Sequence, residues 1–269
     1  MSNEKESKRW NDDQWVAAWP KRERLTEALT PYLLQAASAQ PGQRVCDIGS
    51  GGGAQTIALA EAVGSTGLVV GYDLSAPLVE LARERAGEAG AANVEFVVTD
   101  VQTEGLGPEP FDLAVSQLGV MFFDEPLAAF GAIRAGIRAG GRLVFTCWEW
   151  VEKNPWHTGA VLRPFVPPPR VPAPGKSPVG PFSLGDEEYV RDTLGGAGFG
   201  AVESRGVEIT VRAPASAVVD RSLFEFMGVT PERMGEVESA SDQHLARFAV
   251  GDGEYQYPLA FRVYQAVNG

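Results

Sequence analysis

Residues 45–56, VCDIGSGGGAQT, constrain this chain more than any other stretch. The apolar run Arg44–Ile48 reads as a buried strand, and four glycines follow within five positions before the helix-forming AQTIALA. Glycine has no Cβ, so backbone can press against a ligand there, and the free N–H groups of the helix's first turn point into the same space. Strand, glycine turn and helix in that order open a nucleotide-cofactor pocket in doubly wound α/β sheets. Spacing alone does not choose the cofactor, because Gly49-Ser50-Gly51-Gly52-Gly53-Ala54 also satisfies the dinucleotide pattern G-x-G-x-x-G/A. Asp47 discriminates better. A carboxylate just before the first glycine stands at the pocket mouth, where it repels a pyrophosphate and attracts a ligand carrying ammonium and sulfonium cations.

D-x-G-x-G therefore points to S-adenosylmethionine, with a nicotinamide dinucleotide as the alternative. The chain has 269 residues, 44% apolar and 22% charged, enough for a sizeable core. Its net charge of −12 argues against nucleic acid and anionic membranes as partners. No apolar run approaches the ~18 residues of a membrane span, and MSNEKESKRW lacks the apolar core of a secretory signal, so a cytoplasmic protein without membrane insertion is expected. Cys46 and Cys147 fall inside strand patterns with no partner at ligand spacing; they read as buried thiols, and no metal is expected.

Residues 1–9 read as disordered and 10–39 as helical, with Trp10, Trp15 and Trp19 first and then Leu25, Leu29, Leu33 and Ala36 at helical spacing. Pro20 and Pro31 divide this segment, and Thr30 is a candidate N-cap. The three tryptophans fit either an amphipathic helix on the sheet edge or a lid over the pocket. After Pro41-Gly42, strands at Arg44–Ile48, 68–74, 94–99, 112–116 and 142–148 alternate with helices at 54–63, 76–86 and 126–138. Ser75 is the expected cap of the 76–86 helix. Near-continuous apolar strands between helices indicate a parallel sheet covered on both faces. A proline-rich stretch at 151–183 then breaks the rhythm, and so long a loop is more often functional than a linker. A helix at 186–195, a strand at 202–212, helical pieces at 215–228 and 231–249, and a last strand at 259–267 follow.

In an open parallel sheet the ligand sits outside the carboxyl ends of the strands. Those ends carry Asp47, Gly49, Gly51 and Gly53, then Asp73 and Leu74, then Asp100 and Val101, then Ser116, Gln117 and Leu118. Asp73 lies at about the spacing from the glycines where an acid accepts hydrogen bonds from ribose hydroxyls. Asp100 is placed to accept from an adenine amino group while Val101 offers its backbone N–H, and Ser116 and Gln117 fall beside the cofactor's amino-acid end.

VCDIGSGGG, GYDLS, VTDVQ, FDLAVSQLGVMFFDEP and RAGGRLVFTCW, with Asn154-Pro155-Trp156 after them, together resemble the class I S-adenosylmethionine-dependent methyltransferases, in the style of bacterial enzymes related to ubiquinone/menaquinone C-methyltransferases. The likeness covers residues 10–156. It implies a Rossmann-like, seven-stranded, mostly parallel α/β sheet whose last strand, 259–267, is antiparallel, with S-adenosylhomocysteine as product. It also implies a helical cap (1–40) on a methyltransferase domain (41–269), with insertions at 151–183 and 214–253 near the acceptor. Ser50 stands where many relatives carry Cys, and the C-terminal third resembles no acceptor signature.

Methyl transfer is an in-line displacement, so such an enzyme aligns two partners, excludes water and, where needed, removes a proton. His157, directly after Asn154-Pro155-Trp156, is the candidate general base, while His244 sits in a polar helical stretch. Acceptor contacts are expected from the tryptophans, the proline-rich loop and the late helices, which carry Phe165, Phe182, Phe224, Phe226 and Met227; Leu223, Phe226 and Met227 at helical spacing also suit an ordinary core. The expected acceptor is a small apolar or aromatic metabolite such as a polyketide or quinone. A protein that binds S-adenosylmethionine without transferring its methyl group would share this pocket, and so would a nicotinamide-dependent oxidoreductase, which Asp47 opposes. Nothing in the sequence bears on oligomeric state.

Overall fold

The computed structural model describes residues 4–166, 179–219, 224–225 and 227–269. Among them, β1 (Arg44–Ile48), β2 (Leu68–Asp73), β3 (Val94–Val98), β4 (Phe111–Gln117), β5 (Ile137–Trp148), β6 (Phe199–Pro214), β7 (Ala249–Gly251) and β8 (Glu254–Asn268) form one sheet. The order is β3-β2-β1-β4-β5-β8-β6, with β7 paired to β8. Strands β1 to β5 run parallel, and β8 lies antiparallel to both β5 and β6. The core follows from that topology: Val45, Leu113, Val115, Leu143 and Phe145 in the central strands are fully buried. Both cysteines are buried free thiols.

The sheet has eight strands rather than the expected seven. The additional strand, β7, is turned back onto β8 by Asp252 and Gly253, both at positive φ (54° and 74°), the geometry of a two-residue hairpin turn. Strand β5 begins at Ile137, ahead of the expected 142, and its pairing with β4 shifts register where Gly140 adopts φ 73°.

Four helices precede the sheet: α1 (Glu4–Trp10), α2 (Asp13–Ala17), α3 (Trp19–Thr26) and α4 (Thr30–Ala37). The first of these replaces the disorder expected over residues 4–9, because Glu6 and Arg9 turn inward onto the tryptophans; residues 1–3 lie outside the described residues. Thr30 does not cap α4. It is the first helical residue, and its hydroxyl donates to Gln117 Oε1 at 3.1 Å. Between and after the strands lie α5 (Ala54–Val63), α6 (Ala76–Glu88), α7 (Val101–Glu104), α8 (Pro126–Ala135), α9 (Gly159–Leu162), α10 (Glu187–Gly196) and α11 (Met234–Leu245). Ser75 caps α6 as expected, its Oγ accepting from the Leu78 N–H, and Asp186 caps α10 through the Tyr189 N–H.

Of the expected helix at 215–228, the described residues show a short 3-10 turn at Ala215–Ala217 and helical residues at 224–225, while residues 220–223 and 226, with Leu223 and Phe226 among them, and residues 167–178 of the proline-rich stretch lie outside the described residues. Phe224 joins Leu162, Val229, Met234 and Val237 in a small second core, with Phe165 packed against it. No helix among the described residues is long and apolar enough to cross a membrane.

Candidate active site

Strand order reverses between β1 and β4, and a cavity of about 240 Å³ opens at that switch point, spanning the carboxyl ends of β3 through β5. The sheet contributes Gly49, Asp73, Leu74, Asp100, Val101 and Gln117 to its wall. Trp10, Trp15 and Trp19 form the opposing wall, and Met121, Phe122 and Trp148 close the β5 side.

The glycine turn is built for close approach. Gly49, Gly51 and Gly53 hold φ of 74°, 51° and 80°, conformations that a side chain disfavours. A Cβ on Gly49 would meet the Gly119 backbone at 2.9 Å, so this turn and the one after β4 press together. One on Gly53 would lie 2.8 Å from Ala82 Cβ: this glycine serves the packing of α5 on α6 and does not line the cavity. Gly51 faces the Trp19 ring, and its N–H donates to Asp73 Oδ2 at 2.8 Å.

Asp73 thus ties the end of β2 to the glycine turn, while its Oδ1 accepts from the Ser75 N–H at 2.8 Å; burial raises its pKa and these backbone donors oppose the rise. Asp100 Oδ1 accepts from the Gln102 N–H at 3.0 Å and caps α7, whereas its Oδ2 is buried without a partner among the described residues. The indole Nε1 atoms of Trp15 and Trp19 are likewise buried and unpaired among the described residues. Orphaned polar atoms at a cavity wall are what a polar ligand satisfies.

Five expected site residues stand elsewhere than sequence reasoning put them. Asp47 is 1% exposed and off the cavity, its oxygens accepting from Gln55 Nε2 at 2.9 Å and Thr56 Oγ1 at 2.7 Å. Burial lifts its pKa to about 7, so it organises the first turn of α5 and does not present a full negative charge to a ligand. Gly51 and Gly53 support the turn from outside the lining. Ser116 is fully buried, its Oγ donating to the Ile48 carbonyl at 2.7 Å. His157 does not line the cavity: Phe182 packs edge-on at 4.8 Å, Nδ1 accepts from the Gly159 N–H at 3.1 Å, and burial lowers its pKa to about 4.

Gln117 does line the cavity, but its amide is spent on the cap, donating to the Thr26 carbonyl at 3.1 Å and accepting from Thr30. It belongs to a set of bonds that fixes the cap over the sheet. Asn11 Nδ2 donates to the Leu74 carbonyl at 3.2 Å and its Oδ1 accepts from the Ala76 N–H at 3.0 Å; Ser75 Oγ donates to the Trp10 carbonyl. Arg85 Nη1 bridges Glu23 Oε1 at 2.9 Å and the Gly52 carbonyl at 3.0 Å. Sequence reasoning missed Asn11, Glu6, Met121 and Trp148. Only Asn11 left a signal, the N-D-D turn between α1 and α2. Of the acceptor contacts expected in the later segments, Phe165, Phe182, Phe224 and Met227 are absent from the cavity wall, and among the described residues Pro181 alone represents those segments, held because Ser183 Oγ and the Gly180 N–H both donate to the Met121 carbonyl.

A doubly wound sheet with a glycine turn, an acid after β2 and an orphaned acid after β3 defines a nucleoside-cofactor enzyme, and the comparisons specify which. Residues 39–160 match the family model described as methyltransferase domain. Aklanonic acid methyltransferase DauC of Streptomyces sp. (strain C5) is 34% identical over 149 residues, 54% of this chain and 64% of that enzyme, so the chain spans less than two thirds of it. Nocamycin O-methyltransferase of Saccharothrix syringae is 28% identical over 251 residues, 85% of this chain and 87% of that one. In fold, a SAM-dependent methyltransferase from Aquifex aeolicus superposes with a TM-score of 0.53 at 18% identity over 99% of both chains. Over residues 39–160 the chain carries a methyltransferase domain of the class I, S-adenosylmethionine-dependent kind. S-adenosylmethionine is accordingly its cofactor and S-adenosylhomocysteine the product, and the dinucleotide alternative falls.

Proposed function

We propose that this methyltransferase acts on a small apolar or aromatic molecule, held between the tryptophans of the cap and the residues that follow β4 and β5. One observation carries the reading: Trp10, Trp15, Phe122 and Trp148 line the same cavity as Asp73 and Asp100, so an aromatic wall continues directly from the cofactor acids. The names of the two enzymes cited above, each acting on a small molecule, support it.

In this reading Asp73 takes the ribose hydroxyls, and the unpaired Asp100 Oδ2 with the Val101 N–H takes the adenine. Gly49 offers its backbone, and Trp15 and Trp19 offer their free indole N–H groups to the cofactor's polar end. Asp47, Gly51, Gly53 and Ser116 hold these groups in place. The cofactor supplies an electrophilic methyl group on a sulfonium centre. The chain's part is alignment and exclusion of water, which oriented intramolecular models show is worth about 7–11 kcal/mol of barrier. The cap, residues 1–40, acts as the lid, and the 151–183 insertion adds Pro181 to the acceptor side. A cytoplasmic enzyme without nucleic-acid partners fits its net charge of −12.

Calorimetric titration with S-adenosylhomocysteine, followed by a mass-spectrometric screen of aromatic and aliphatic acceptors, tests the proposal. Methylation confined to charged aliphatic acceptors would overturn it.

A further inference from the structure

Helix α1 carries a buried carboxylate that neither the cofactor nor the fold accounts for. Glu6 is 5% exposed and lines the cavity, on a helix whose sequence, EKESKRW, is otherwise polar. Its Oε2 accepts one hydrogen bond, from Arg9 Nη1 at 3.3 Å, and Oε1 has none among the described residues. The Arg9 guanidinium lies 4.2 Å from the Trp15 ring centroid and 5.4 Å from that of Phe122. This places the pair against the aromatic wall of the cavity. A buried ion pair seldom repays its desolvation in stability, so its retention calls for another reason.

The other carboxylates of the cavity wall are committed. Glu23 is held by Arg85 at 2.9 Å, Asp73 accepts two backbone N–H bonds, and Asp100 caps α7 through Oδ1 while its Oδ2 is the atom assigned above to the adenine. His157 lies outside the lining. The geometry points to Glu6 as the catalytic base for a neutral acceptor whose nucleophile is a hydroxyl group, an inference that rests on the methyl transfer proposed above. Arg9 offsets the carboxylate's charge, so the site offers a hydrogen-bond acceptor without the net negative field that would select an amine cation. In the step, the acceptor O–H bond breaks and its proton passes to Glu6. The oxygen's electron pair forms the new O–C bond as the methyl–sulfur bond breaks, and that pair stays on sulfur as a thioether. General-base assistance of this kind is worth about 10²–10⁴-fold in rate.

The test uses the full chain saturated with S-adenosylhomocysteine and alizarin, a flat phenol whose visible absorbance reports ionisation of its hydroxyl. Wild type is expected to bind alizarin with the ionised spectrum enriched. Glu6→Gln is expected to bind it within about threefold but with the protonated spectrum, and to keep S-adenosylhomocysteine affinity as evidence of an intact fold. Methylation of a phenol acceptor should fall at least about 100-fold in Glu6→Gln and recover in part in Glu6→Asp. Unchanged spectrum and turnover in Glu6→Gln overturn the assignment alone. Alizarin and phenol acceptors that bind neither protein, while S-adenosylhomocysteine binds both, overturn the aromatic-acceptor reading and this inference with it.

Discussion

The indole ring of Trp19 occupies the space that a Cβ on Gly51 would need. The cap and the glycine turn are therefore fitted to each other, and the pairing can be measured. Gly51→Ala adds a methyl into the ring and strains φ of 51°, at a combined cost of roughly 2–4 kcal/mol. In a Trp19→Ala background only the strain remains, so the same substitution should cost about half as much. Urea unfolding of the double-mutant cycle checks this, and an equal cost in both backgrounds refutes the contact.

Asp47 makes stability fall as pH rises. Its folded pKa of about 7 stands above the ordinary aspartate value of 3.8, so between those values the native state holds a proton that the unfolded chain has lost. The slope is negative in that window, flat below it and flat again above it. The span corresponds to roughly 4 kcal/mol as an upper bound. Asp47→Asn keeps acceptance from Gln55 and removes the charge, so the variant should gain on wild type at pH 8 and match it near pH 4. Guanidinium unfolding at the two pH values is the measurement.

His157 titrates in the opposite sense. With a folded pKa of about 4 against 6.5, the native state holds fewer protons than the unfolded chain, and stability is lost as pH drops below about 6.5. At neutral pH the imidazole is uncharged and packed on Phe182. His157→Gln should lower kcat by less than about tenfold and leave the pH profile of kcat between 6 and 9 unchanged. A histidine limb near pH 6.5 that vanished in the variant would restore this residue as the base.

Asn11→Ala removes two hydrogen bonds, to the Leu74 carbonyl and from the Ala76 N–H, that anchor the cap beside Asp73. At about 0.5–1.5 kcal/mol each, their loss should weaken S-adenosylhomocysteine binding by roughly 5–150-fold. The melting temperature of the ligand-free protein should change little, because the α1–α2 turn lies outside the main core. Calorimetry and a thermal melt separate the two effects, and a lowered melting temperature with unchanged affinity would show that the cap does not serve the cofactor.

Much of the sheet was legible because its rules are local. Apolar runs bounded by glycine turns marked β1 to β5 to within a few residues, and Ser75 with Pro77 marked the start of α6. The expected acids at successive strand ends followed from alternation alone, and Asp73 and Asp100 do meet at one cavity. Strand β7 was missed although Asp252-Gly253 carries its turn signal, since a three-residue strand has no periodicity to read.

What the sequence by itself determined was the parallel sheet, the glycine turn and a nucleoside-cofactor pocket at the strand ends, since each depends on backbone conformation and residue type within a few positions. Tertiary structure alone decided where side chains point and how they ionise. Asp47 sits at the expected strand end, yet Gln55 and Thr56 capture its carboxylate and burial half-neutralises it. Gln117 sits beside the cavity, yet the cap claims its amide. Glu6, in a stretch that reads as disordered, is buried because the tryptophans and Arg9 fold over it. Hydrogen-bond capture and desolvation depend on partners far away in the chain, and no local pattern encodes them.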